Sequence, residues 1–92
     1  MLVIENLDTL IQGIDKIKEN IELIKDLSNS SYLSDEEKTL LNNNIVYFLK
    51  NLNGIENLSK SYDSFDSKEQ QWIIDLTLDL YNDTNQIIKV MS

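Results

Sequence analysis

The sequence predicts an all-α protein, a small antiparallel bundle of three long helices plus one short helix. Three observations carry that expectation. Apolar residues recur at threes and fours in three separate stretches, which is the period of a helix face. Capping patterns open two of them, at Ser34-Asp-Glu-Glu37 and at Asp66 or Ser67 followed three residues on by Glu69 or Gln70. The joining segments are short, which sets neighbouring helices antiparallel. The 92 residues make a single helical-bundle domain, 1–92.

The first helix is expected from Leu2 to Leu27. Ile4, Leu7, Ile11, Ile14, Ile17, Ile21 and Ile24 mark its apolar face, and Glu5, Asp8, Gln12, Asp15, Glu19, Glu22 and Asp26 the opposite one. At ~1.5 Å per residue such a helix runs nearly 40 Å. Gly13 sits inside it at a cost on the order of 1 kcal/mol against alanine, and a slight bend is expected there. Ser28-Asn-Ser-Ser31 ends the helix.

The second helix begins at the Ser34 cap, with three acids on its first turn where the helix dipole favours them. Its inner face reads Leu41, Ile45, Phe48, Leu49 and Leu52, with Leu40, Val46 and Tyr47 off it. Asn53-Gly54 is expected to stop the helix at Leu52, glycine taking the left-handed cap. Ile55, Leu58 and Tyr62 then fit a short helix of two turns, followed by a polar loop that holds Tyr62 and Phe65.

The third long helix spans Ser67 to Met91. Lys68, Gln71, Asp75, Asp79, Asn82, Gln86 and Lys89 form one polar stripe, while apolar residues from Trp72 to Met91 cover more than half the circumference. One neighbour needs an apolar arc of only about 100°. This helix is therefore expected to lie between two helices or against a second chain. Alternation from Trp72 to Tyr81 also suits a strand, but the acidic start, Lys89 at the end and the glycine-free Asn82-Asp-Thr-Asn85 favour helix.

Composition removes several function classes. There is no cysteine, hence no disulfide or thiolate metal site, and no histidine, the commonest general base. A net charge of −8, from eight lysines, no arginine and sixteen acids, disfavours direct nucleic-acid binding and anionic membranes. No apolar run approaches the ~20 residues of a membrane-spanning helix, and Met1-Leu-Val-Ile-Glu5 lacks the marks of a signal peptide. A cytoplasmic protein is expected. The absence of alanine, arginine and proline, with asparagine, isoleucine and lysine abundant, points to an AT-rich genome such as that of a low-GC bacterium or its phage.

Nothing in the sequence supports catalysis. It has no phosphate-binding glycine loop, no nucleophile elbow and no cofactor motif. Asp63-Ser-Phe-Asp66 has the wrong spacing for a calcium loop, and no metal is expected. The informative feature is a concentration of acids between Ser61 and Asp83. Asp75, Asp79 and Asp83 stand one per turn along one face, in mid-helix, where like charges four apart are mildly destabilising. With Asp63 and Asp66, and with Tyr62 and Phe65 as aromatic anchors beside them, they are the expected partner-binding residues. A solvated face is the plain alternative for the row, and for the two aromatics the plain alternative is a cap on the bundle's end.

Self-association is expected through Trp72 and Leu78 on the wide arc, and through Leu40 and Tyr47, seven apart on the second helix. In size, acidity and helical form the chain resembles small stoichiometric inhibitors: nuclease-bacteriocin immunity proteins, phage anti-CRISPR proteins and antitoxins. That likeness implies a non-enzymatic module that blocks a basic, nucleic-acid-handling protein partner. The alternative is a homodimer or larger assembly with a structural role.

Overall fold

The computed structural model describes residues 2–91. Three long helices, α1 (Leu7–Ser28), α2 (Asp35–Ser59) and α3 (Ser67–Met91), are joined by a loop and by a 3-10 turn at Tyr62–Ser64. There is no strand among the described residues. Helices of 22 to 25 residues are about 33–38 Å long, yet the body measures only 46 × 23 × 16 Å. Consecutive helices therefore run antiparallel. The alternating pattern from Trp72 to Tyr81 lies wholly within α3.

The helices present one alternation of fours and threes to the core, 4-3-4-3 in α1 and α2 and 4-3-4 in α3. In α1 it reads Leu10, Ile14, Ile17, Ile21, Ile24; in α2, Leu41, Ile45, Phe48, Leu52, Ile55; in α3, Ile73, Thr77, Leu80, Thr84. A repeat averaging 3.5 residues keeps one seam facing its neighbours along the whole length. Two members of the α3 seam are threonines, both fully buried. Their hydroxyls donate to their own helix, Thr77 Oγ1 to the Ile73 carbonyl and Thr84 Oγ1 to that of Tyr81, each at 2.8 Å. The polar atom is thereby satisfied and the rest packs like valine. Asn20 Nδ2 donates to Thr84 Oγ1 at 3.0 Å and to Asn85 Oδ1 at 2.8 Å, which fixes α1 against α3.

Four expectations need correction. The first helix starts at Leu7 rather than Leu2. Asn6 caps it, accepting from the Thr9 amide at 2.9 Å while Thr9 Oγ1 accepts from the Asn6 and Glu5 amides. The residues before it are extended, and Ile4 folds back into the core over Gly13. That close approach, with Ile4 Cδ1 3.0 Å from where a Cβ would stand, accounts for the glycine.

Second, α2 does not stop at Asn53-Gly54. No glycine has a positive φ, and the helix runs through to Ser59, so the separate short helix is its last two turns and the short element is the 3-10 turn. Ile55 continues the buried stripe, and Glu56 reaches Lys18 of α1 at 3.3 Å. Packing on both sides of Gly54 outweighs its propensity. Third, Leu49 on α2 and Ile11 on α1 lie beside their stripes and are exposed.

The fourth correction concerns Trp72, for which the apolar pattern of α3 implies burial: it is 54% exposed, and its neighbour Ile73, at 0%, takes the core position. Apart from Trp72 and the exposed Val90 near its end, the wide arc of α3 is covered within the chain. Ile74 and Leu80 are buried, and Leu76, Leu78, Tyr81, Ile87 and Ile88 pack half-buried against the core, because α3 touches both other helices.

Candidate partner-binding surface

The acids of the last helix sit as its pattern requires. Asp75, Asp79 and Asp83 are all exposed along one face of α3. Asp75 accepts from Gln71 Nε2 at 2.9 Å. Among the described residues the ion pairs are Lys18–Glu56 and Lys25–Glu22, and neither involves α3. The row thus carries three carboxylates with no cation in contact.

Asp63 and Asp66 are exposed too, but at the turn that precedes the row. Nine residue steps separate Asp66 from Asp75, about 14 Å along the helix. Asp66 is also committed locally: its Oδ1 accepts from the Glu69 amide at 2.8 Å and caps α3. The five acids therefore do not form one patch. Nor do the two aromatics anchor one. Tyr62 is only 7% exposed and belongs to the core, Phe65 packs half-buried against it, and Gln70 Nε2 donates to the Tyr62 carbonyl at 2.8 Å. They close the end of the bundle.

Two exposed aromatics, Tyr47 and Trp72, lie elsewhere, at a groove between α2 and α3. These two helices pack less closely on each other than either does on α1. The reason is what α2 turns toward α3: Lys50, Asn51 and Gly54, which leave the space between the helices unfilled. The groove holds about 550 Å³. Ile55 and Leu80 are buried at its floor, and Leu58 and Leu76 are half-buried along its sides. Because the helices are antiparallel, exposed Trp72 stands toward the Leu58 end and exposed Tyr47 toward the Asp83 end. The Tyr47 ring is braced edge-on by buried Phe48, with centroids 6.1 Å apart. Asp79 and Asp83 line the α3 lip and Lys50 the α2 lip.

The four expected self-association residues are not brought together. Tyr47 and Trp72 belong to this groove, and Leu78 is packed inside. Leu40 lies at the far end of the bundle, in a second hollow with Tyr32 and Val90, both highly exposed. None of Lys50, Gly54, Leu58 and Leu76 is among the site residues expected from the sequence. The one available signal, Gly54, reads as a helix stop, and only the continuous α2 turns it into the floor of a groove. No group of three or more acids is placed to hold a metal ion among the described residues, and no helix there is long and apolar enough to cross a membrane.

No protein-family model matches the chain, and no curated protein and no solved structure matches it either.

Proposed function

We propose that this protein is a cytoplasmic, non-enzymatic binding module that inhibits a basic, nucleic-acid-handling protein stoichiometrically, as anti-CRISPR, immunity and antitoxin proteins do. One observation carries the reading: Asp75, Asp79 and Asp83 stand exposed on a single helix face without a cation in contact, although like charges four apart cost a helix a few tenths of a kcal/mol. Enzymes that handle nucleic acid present basic clefts, and an acidic helix face complements one while steering the encounter.

The test is affinity capture from a host lysate with the parent and with Asp75, Asp79 and Asp83 all changed to lysine. The change takes the net charge from −8 to −2, three reversals of two units each. Capture of a basic protein that is lost on reversal, and that weakens as salt rises, supports the reading. A reversed variant that captures the same protein as well as the parent, at low salt and at high, overturns it.

A second reading has its own observation. Tyr32, Leu40 and Val90 expose apolar surface together at one end of the bundle, which suits contact with a second copy. Sedimentation that gives a dimer in the parent and a monomer in Leu40→Glu supports self-association. A monomer at every concentration overturns it.

A further inference from the structure

We infer that the groove between α2 and α3 receives a helix of the partner, an amphipathic segment whose apolar edge enters the groove and whose lysines or arginines lie along the α3 lip. The inference rests on the acidic-face reading above and adds the site and the form of what is bound.

Its size fits. The groove runs from Tyr47 to Leu58 on α2 and from Trp72 to Asp83 on α3, eleven residue steps on each helix, or about 16 Å. That length accepts three turns of an incoming helix, with anchors spaced i, i+3 or i+4, and i+7. The depth comes from Gly54. A Cβ built there meets nothing within 4 Å, so a side chain from outside has open space at that point. Charge selects the occupant. Asp79 and Asp83 line one lip, and Asp75 continues the row one turn toward the N-terminus of α3, so a basic flank is drawn to α3. Lys50 on the other lip repels a second basic flank, which sets how the incoming helix is rotated about its axis. Tyr47 and Trp72 stand half out of water at the two ends, one braced by Phe48, and gain burial when the groove is filled.

The probe is a display library of helical peptides of about 14 residues. Leucine or an aromatic is fixed at the groove spacing, and the flanks vary among lysine, glutamine and glutamate. Selection runs on the parent, and enriched peptides are made synthetically. Trp72 is the only tryptophan, so a peptide that covers it should shift its emission to shorter wavelength. Enriched peptides are expected to carry lysine on one flank. Gly54→Leu fills the groove from an exposed helix position and should weaken them about tenfold or more, with the melting temperature held or raised. Lys50→Glu should tighten them by about two- to fivefold, independently of whether the leucine variant folds.

Three results overturn the inference alone. No peptide enriches; or enriched peptides bind Gly54→Leu as tightly as the parent; or Trp72 emission shifts with protein concentration alone, which assigns the groove to a second copy. In each case the lysine-reversal experiment still decides the acidic-face reading by itself. Peptides that enrich without a basic flank and ignore the triple reversal overturn both.

Discussion

Replacing Gly54 by alanine separates two structures for the middle of this chain. If Asn53-Gly54 ended a helix, Gly54 would hold a left-handed conformation, and alanine there would lose about 1–2 kcal/mol. In the continuous α2 no glycine has a positive φ, and an added Cβ at Gly54 meets nothing within 4 Å. Alanine then gains what glycine forfeits in a helix interior, about 0.5–1 kcal/mol. For a domain of this size that is a rise in melting temperature of roughly 2–8 °C. Gly13 supplies the internal comparison. Its Cβ would stand 3.0 Å from Ile4 Cδ1, 3.4 Å from Leu2 Cδ2 and 3.5 Å from Thr77 Cγ2. The first two are ends of flexible side chains on the N-terminal arm, which can give, but the shift offsets part of the same gain. Gly54→Ala should therefore stabilise more than Gly13→Ala. Thermal and urea unfolding followed by far-UV circular dichroism read both. A loss of stability in Gly54→Ala would refute the continuous helix and, with it, the groove beside it.

Ile73→Ala should cost about 2–5 kcal/mol and Trp72→Ala about 1 kcal/mol or less, because the isoleucine is fully buried and the indole is half exposed. Equal losses in urea unfolding would show that Trp72 holds the core position. Thr77→Val should be close to neutral, since its hydroxyl bonds only within α3, whereas Thr84→Val also deprives Asn20 of an acceptor and should cost roughly 0.5–1.5 kcal/mol. The reverse order would place the α1–α3 clasp elsewhere. Glu37 carries the pH dependence of the α2 cap: its bond from the Ser34 amide, then its bond with the Ser34 side chain, hold its carboxyl below the ordinary 4.5. A depressed folded value means the contribution is complete above the unfolded value and is lost as pH falls through the folded one. Carbon NMR of the Glu37 carboxyl should give a midpoint below 4.5, and Glu37→Gln should remove this part of the acid sensitivity; a midpoint at or above 4.5 would count against the cap.

What the sequence made legible was what local chemistry decides. The Ser34–Glu37 box marked the start of α2, and the polar stripe from Lys68 to Lys89 with Asp66 before it marked α3. The start of α1 was hidden because Thr9 plays the part that glutamate or glutamine usually takes in a capping box. The passage of α2 through Gly54 was hidden because Ile55 and Glu56 are held by α1, a tertiary cause that local propensity does not carry. Trp72 and Ile73 are neighbours on the wheel and both apolar, so only packing between two helices chooses the core member. Thr77 and Thr84 read as polar until their hydroxyls are seen to bond within the helix. The acidic row was legible residue by residue. The groove beside it was not, because it is made by what α2 lacks opposite α3.

That lack bears on the proposed function. Stability alone would favour a bulky apolar residue at Gly54, a lysine among Asp75, Asp79 and Asp83, and a polar side chain at Trp72. The chain forgoes all three at the α2–α3 seam and its acidic edge; where α1 meets α3 the mid-helix Gly13 is instead covered, by Ile4 and by Thr77. There the contact is dense and clasped by Asn20, and the buried hydroxyls are satisfied. Each concession is small, a few tenths to about 1 kcal/mol, and one of them alone is ordinary drift in a marginally stable domain. Their causes differ: backbone entropy at the glycine, like-charge repulsion along the row, apolar exposure at the indole. Each cause also acts elsewhere, at Gly13, along exposed Asp15, Glu19, Glu22 and Asp26, and at exposed Val46, but here the three adjoin and one occupant would relieve them together. It would fill the space over Gly54, supply cations to the carboxylates and cover the indole. A partner helix of the proposed kind should therefore raise the unfolding temperature of the parent more than that of Gly54→Leu, by mass action on the folded state. Equal shifts at matched peptide concentration would separate the three concessions again and remove the groove as the binding site, with the acidic row left to the lysine-reversal test.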